Sequence, residues 1–296
     1  MPLFEATSLA ASLGGSGGPQ VLYATQPNEN VLSLRWTFDA SYDADWQWWS
    51  CFDLVPQAQR SAAANLSDFS PEVYATSKAG ALFVRHFYSD GWAPWEPHPL
   101  PNADSHADDV AAVGWPSPVL FLYVIDRGRV FVRHRANSNS LSQYRPWVEV
   151  RGPAGLRRIA ALLRLDGKQQ IFVTNEARQV FSAVQTESGL DAAFTEFTPF
   201  GGASAPTLDE ITGGYLKDGS GVLFGLSAGV VWSRVVNADS AGSWVPDAQG
   251  NAPSLSTLVV GSWPGHQDPV IFGTDSLFMP QLWHHQMGSS AWSQIP

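Results

Sequence analysis

The sequence predicts an all-β protein, a six-bladed β-propeller built from four-stranded antiparallel blades. Two observations predict it. A pattern of about 50 residues returns six times along the 296-residue chain, and a period of that length with four strands per unit is the signature of a propeller. Charged residues are only 15% of the chain, which holds 13 Trp, 26 Gly and 21 Pro. Such a turn-rich, aromatic-rich composition belongs to a β protein with almost no helix. Two domains are possible on length alone, but closed all-β folds of this size are routinely single units. No break interrupts the repeat, so one domain spanning 1–296 is expected.

Residues 72–97 show the module most clearly. Val73, Tyr74, Ala75 and Thr76 form a β-branched and aromatic run, followed by a turn at 77–80 in which Gly80 is available for positive φ. A second run, 82–88, folds back on the first. Residues 89–91 are the next turn signal, a third run carries Trp92 and Trp95, and residues 65–70 sit where a further strand precedes the set. The module reads as a four-stranded meander.

Its second strands recur at 21–25, 119–125, 171–174, 222–225 and 270–274. Third strands begin at Val31, Leu82, Val130, Val180, Val230 and Phe278, spaced by 51, 48, 50, 50 and 48 residues. Fourth strands keep an aromatic: Trp46, Trp48 and Trp49, then Trp92 and Trp95, Trp147, Phe194 and Phe197, Trp244, and Trp292. First strands, at 9–11, 110–112, 159–161, 211–214 and 258–260, are small and apolar, as a crowded inner strand requires. The expected blades are 1–57, 58–105, 106–155, 156–205, 206–253 and 254–296.

A net charge of −10 with 17 Lys plus Arg lacks the basic footprint of a nucleic-acid binder. No apolar run approaches the roughly eighteen residues of a membrane span, and the N-terminus lacks the basic and apolar regions of a signal peptide. A soluble protein is expected, cytoplasmic or secreted with its signal trimmed, with no membrane partner. The single Cys51 excludes an internal disulfide and a thiolate zinc site, and no cofactor or metal is expected. Asn65, Leu66 and Ser67 fit a glycosylation triplet.

Residues 39–49 gather three Asp, one Tyr and three Trp. They read either as a hairpin whose indoles pack between blades or as a ligand platform, since exposed Trp beside carboxylate stacks and hydrogen-bonds flat or sugar-like ligands. Asp104, His106, Asp108 and Asp109 share one polar loop that lacks the glycine of a calcium loop, and it reads as a solvated acidic segment. Asp209 and Glu210 occupy the equivalent place in the fifth blade, so acids ring one mouth of the channel.

Arg35, Arg85, Arg133 and Arg234 fall on the third strands, two of them followed by histidine, His86 and His134. In-register arginine either bridges blades or faces a pocket and donates to ligand oxygens, with histidine able to transfer a proton. The candidates for catalysis are Arg85, Arg133, His86 and His134. Those for ligand binding are Arg35, Trp36, Trp46, Trp48, Trp49, Trp92 and Trp95, and the site is expected where blades one to three meet. No Ser-His-Asp spacing or glycine-rich phosphate loop names a reaction.

With its small inner strand, V-x-Y/F second strand, third strand ending in arginine and Trp-bearing outer strand, the repeat resembles the six-bladed fungal fucose-specific lectins over the whole chain. That resemblance implies sugar sites between blades, built from an arginine beginning the second strand and a glutamate early in the third. The matching positions here hold Val21, Glu72, Leu120, Gln170, Val222 and Val270 for the arginine, and Ser33, Val84, Val132, Ser182, Trp232 and Pro280 for the glutamate. The dyad is absent from all six. At the level of fold alone the ring also resembles the propeller-like hetero-Diels–Alder enzymes of fungal tropolone–sesquiterpene pathways.

The expected function is therefore a cofactor-independent enzyme on a lectin-like propeller, a cyclase or pericyclase of natural-product biosynthesis. Such an enzyme would hold an apolar oxygenated small molecule between aromatics and polarise it with Arg or His. The alternatives are a carbohydrate-binding lectin, with a glycan as ligand, and a protein-interaction propeller.

Overall fold

A computed structural model describes the chain except for residues 1–7, 14–19, 26–29, 38–44, 55–57, 66–70, 89–90, 115–118, 136–143, 203, 237–241, 248–250, 262–268, 276–280 and 295–296. For 12–13, 20–21, 30–37, 45–54, 88 and 91 the backbone alone is described. Every regular element among the described residues is a β-strand. The described residues form two compact units, one within 6–149 and the other from 150 onward.

The first unit contains three antiparallel sheets. The first runs in order through β1 (Ser8–Leu13), β2 (Gln20–Thr25), β3 (Asn30–Thr37) and β4 (Asp45–Leu54). In the second, β5 (Ala58–Asn65), β6 (Pro71–Ser77) and β7 (Leu82–Tyr88) are followed by an outer edge in two pieces. These pieces, β8 (Gly91–Trp92) and β9 (Glu96–His98), both pair with β7. The third comprises β10 (Ala107–Val113), β11 (Leu120–Asp126), β12 (Arg129–Arg135) and β13 (Val148–Val150).

The second unit repeats the plan. Its sheets are β14 (Leu156–Leu163), β15 (Gln169–Asn175), β16 (Val180–Val184) and β17 (Thr198–Pro199); then β18 (Glu210–Tyr215), β19 (Gly221–Ser227), β20 (Val230–Val236) and β21 (Val245–Pro246). The last is β22 (Val259–Gly261), β23 (Val270–Thr274), β24 (Leu282–Gln286) and β25 (Ser293–Gln294). The second sheet's inner strand begins earlier than the sequence suggested, at Ala58 instead of within 65–70, and β24 starts at Leu282 instead of at Phe278, which lies outside the described residues.

Position within a sheet follows from side-chain size. The second strands are buried on both faces, every residue of β6 and β11 included, so they read as mostly apolar runs without alternation, with Glu72 of β6 an acidic exception. Tyr74, Tyr123, Phe172 and Phe224 sit there with no measurable exposure. First strands approach each other too closely for large residues. A Cβ on Gly114 would lie 1.8 Å from the Asn65 carbonyl oxygen at the end of β5, and one on Gly213 would lie 2.8 Å from that of Ala161 in β14. Two hairpins close by the same two-residue turn, Asp126 facing Arg129 and Ser227 facing Val230. In both, the central residues have positive φ (Arg127 and Gly128, Ala228 and Gly229), which matches the twist of the strands they join.

The outer strands are only two or three residues long in five of the six sheets; of the aromatics expected inside them, Trp46, Trp48 and Trp49 lie in β4 and Trp92 in β8, while five others stand one residue ahead. Trp147, Phe197, Trp244 and Trp292 immediately precede β13, β17, β21 and β25, and Trp95 precedes β9. They anchor the edge instead of forming it.

Candidate functional site

The pleat separates neighbours that the sequence places side by side. Successive residues of a strand point to opposite faces, so Arg85 and His86 of β7 belong to different clefts. Arg85 lies opposite Val73; its Nε–H donates to the Ala93 carbonyl at 2.6 Å and its guanidinium lies 5.9 Å from the Trp92 ring, which meets Tyr23 of β2 edge-on at 6.1 Å. That cleft joins the first and second sheets. His86 lies opposite Glu72, and its Nδ1 is 2.9 Å from Glu72 Oε1. It faces the third sheet.

The cleft between the second and third sheets holds the densest polar group. Glu72 accepts a hydrogen bond and ion pair from Arg135 of β12 through Oε1, and a 2.5 Å hydrogen bond from the Tyr74 hydroxyl through Oε2. The Tyr144 hydroxyl lies 2.5 Å from that of Tyr74 and 3.3 Å from Glu72. Glu72 and Arg135 are each 1% exposed at the side chain. Burial pushes the Glu72 carboxyl up, but the hydrogen bond from His86 and the Arg135 charge outweigh it and hold the carboxyl below its ordinary range. Burial followed by the Glu72 charge pushes the Tyr74 and Tyr144 hydroxyls up, keeping both neutral.

Arg133, two residues before Arg135, opens the same cleft toward its rim. Its guanidinium lies 4.5 Å from the Tyr144 ring and 5.1 Å from the Trp147 ring, and Nη1 is 3.4 Å from the Pro99 carbonyl and 3.5 Å from His98 Nε2. Burial, reinforced by the Arg133 charge, pulls His98 down to about 3. It is therefore a neutral ring that meets Tyr144 edge-on at 4.8 Å. His134 lies on the other face of β12, 5.6 Å from the Phe121 ring.

Of the groups predicted from sequence, His86 and Arg133 thus share a cleft, Arg85 and Trp92 occupy the neighbouring one, and His134 faces away from both. Trp95 packs half-buried beside Tyr23, Val73 and Ala75. The backbones of Arg35, Trp36, Trp46, Trp48 and Trp49 lie in β3 and β4, but their side chains fall outside the described residues. Sequence reasoning passed over Glu72 as a ligand, and also Tyr74, Arg135, Tyr144 and His98. A signal existed: Glu72 is an acid inside a second strand that is otherwise apolar, and Arg135 shares the period-2 face of Arg133.

The pairing of a third-strand group with an outer-strand aromatic recurs in the second unit. Arg234 of β20 lies 4.2 Å from the Phe200 ring, and Trp244 meets Phe200 edge-on at 6.3 Å. His285 of β24 stacks on Trp292 at 5.1 Å, while the Trp292 indole N–H donates to Asp247 at 3.0 Å. In each case the aromatic reaches back to the residue that follows the preceding sheet's outer strand: Trp147 to the Pro99 carbonyl at 2.9 Å, Trp244 to Phe200, and Trp292 to Asp247.

The acids expected at a channel mouth are paired with arginine, Asp209 with Arg178 at 3.0 Å and Glu210 with Arg158 at 3.1 Å. The loop acids disperse in the same way, Asp104 to Arg127 at 3.4 Å and Asp108 to His106 at 3.0 Å. Among the described residues no three His, Cys, Asp or Glu side chains are grouped to hold a metal, and no helix is long and apolar enough to cross a membrane.

No family model and no curated protein matches the sequence. Solved structures do. The BP39L lectin from Burkholderia pseudomallei aligns with a TM-score of 0.68 at 14% identity, over 98% of this chain and 85% of its own. AofleA from Arthrobotrys oligospora aligns with 0.68 at 14%, over 99% and 87%. A fungal lectin from Aleuria aurantia, described as a six-bladed β-propeller with a novel fucose recognition mode, aligns with 0.66 at 14%, over 98% and 94%. The fold is that of a lectin-type β-propeller. At this identity the likeness is one of fold alone.

Proposed function

We propose that the protein is a six-bladed, carbohydrate-binding propeller whose ligands occupy clefts between adjacent sheets. The observation that carries this is the recurring pair of a third-strand cation or imidazole and an outer-strand aromatic, present as Arg133 with Trp147, Arg234 with Trp244 and Phe200, and His285 with Trp292. An aromatic face accepts the C–H side of a pyranose while a guanidinium donates to its oxygens, which are the two interactions that sugar recognition needs. The fold likeness to lectins, one of them fucose-specific, supports the same reading.

Because the Arg/Glu dyad implied by resemblance is missing from all six repeats, the ligand is held by other groups, and the clefts differ from one another in chemistry. The enzyme reading has less to rest on. Proton transfer needs a base free to reach the substrate, whereas His86 is spent on Glu72 at 2.9 Å and only 3% exposed, and His134 faces away from that cleft.

A glycan array followed by calorimetry tests the proposal. Saturable binding to defined saccharides is expected, with Arg133→Gln removing or weakening one class of site while the others persist. An array on which no glycan binds the folded protein overturns it.

A further inference from the structure

In the cleft between the fourth and fifth sheets the polar accounting does not close. The indole N–H of Trp147 is satisfied by Pro99 and that of Trp292 by Asp247. The equivalent Nε1–H of Trp244 is buried with no hydrogen-bond partner among the described residues, and so are Nε and Nη1 of Arg234. Buried donors are almost always paired, so three orphans in one cleft mark a place where an acceptor belongs. Two of them converge. From the point a Cβ on Gly201 would occupy, Trp244 Nε1 is 2.7 Å away and Arg234 Nη1 3.3 Å. Gly201 itself has a φ of +142°, a conformation L side chains rarely adopt, and the Ala205 Cβ, 2.5 Å from the same point, bounds the place where the two donors meet. The Phe200 ring beneath the guanidinium fixes its plane.

Among the described residues the guanidinium also has no counterion. Burial lowers its proton affinity, whereas Arg135 in the other cleft is answered by Glu72. A neutral hydroxyl would satisfy an N–H but leave the charge uncompensated, and a carboxylate satisfies both. We infer that this cleft binds an acidic saccharide, its carboxylate taking hydrogen bonds from Arg234 Nη1 and the Trp244 indole N–H. The inference rests on the carbohydrate-binding reading and adds to it the ligand's charge.

The probes are methyl β-D-glucuronide and methyl β-D-glucoside, identical but for the carboxylate, with sodium acetate as a third arm. In a 1H–15N spectrum the Trp244 indole N–H is assigned by its disappearance in Trp244→Phe. The glucuronide is expected to shift that resonance and bind at least tenfold more tightly than the glucoside. Arg234→Gln should weaken glucuronide binding by roughly tenfold to a hundredfold, the usual range for a lost charge-assisted hydrogen bond. If Arg234→Gln does not fold, Arg234→Lys, which keeps the charge but loses the planar fork, should weaken it as well. Equal binding of the two glycosides, or an unchanged glucuronide affinity in a folded Arg234 variant, overturns the inference while neutral sugars still bind elsewhere. Acetate binding as tightly as the glucuronide removes the saccharide from it. A protein that binds no glycan at all overturns both this and the function it rests on.

Discussion

Replacing Arg135 with methionine isolates the energetics of the cleft between the second and third sheets. The side chain is 1% exposed and its partner, Glu72, is equally buried, so the substitution leaves a carboxylate in the interior without its cation. Breaking a buried pair from one side costs about 3–5 kcal/mol. Because Glu72 keeps the 2.9 Å contact with His86 and the Tyr74 hydroxyl, the lower half of that range is expected. At about 2–4 °C per kcal/mol for a protein of this size, the melting temperature should fall by on the order of 10 °C at pH 7. The pH dependence has a definite sign. An acid held below its ordinary value of 4.5 contributes stability that is present above that pH and is lost as pH falls through the folded-state value. Without Arg135 less opposes the effect of burial, so the deficit of Arg135→Met relative to wild type should be largest near neutrality and shrink in acid. The double variant Glu72→Gln, Arg135→Met should be less destabilised than the two single variants combined, by about 1–3 kcal/mol. Thermal melts from pH 3 to 8 provide the measurement. An unchanged melting temperature in Arg135→Met, or strict additivity in the double variant, would refute a buried ion pair at this position.

His98, pulled down to about 3 from an ordinary 6.5, binds a proton in the unfolded chain before it does so in the folded one. Stability should therefore fall as pH drops from about 6.5 toward 3, and His98→Gln should flatten the slope of unfolding free energy in that window by up to one proton. Gly114→Ala places a methyl 1.8 Å from the Asn65 carbonyl and should cost more than about 2 kcal/mol in denaturant unfolding, because backbone instead of a yielding side chain stands in the way. Trp292→Phe keeps the ring against His285 but strips the 3.0 Å hydrogen bond from Asp247, a loss of about 1.5–3 kcal/mol by the same assay.

The repeat was legible in the sequence because fold-determining positions obey constraints that act locally. Turns demand glycine at positive φ, as at Gly80, Gly128 and Gly229. Inner strands demand small residues, and second strands demand apolar ones on both faces. The outer edge was legible only in part: Trp147, Trp244 and Trp292 were found, but they turned out to stand ahead of their strands, because strand ends depend on what the neighbouring sheet offers and not on local propensity. The candidate site was least legible for the same reason. Arg133 and Arg135 are marked as a pair by their spacing, yet nothing local reveals that Glu72, 63 residues upstream, is the group Arg135 meets. The separation of Arg85 from His86 was readable from the pleat alone.

The backward reach of the outer-edge aromatics carries an evolutionary consequence. Trp147, Trp244 and Trp292 each fasten one sheet to the exit of the sheet before it, and what they grip differs: a carbonyl at Pro99, a ring at Phe200, a carboxylate at Asp247. The fastening asks for a large flat side chain and tolerates nearly any counterpart. A substitution in one seam is therefore felt by two neighbouring sheets and no farther, so selection can rewrite the chemistry of a single seam while the others stay as they were. Duplicated repeats would drift apart under that freedom into compartments that no longer resemble one another, which is the pattern of divergence this chain displays.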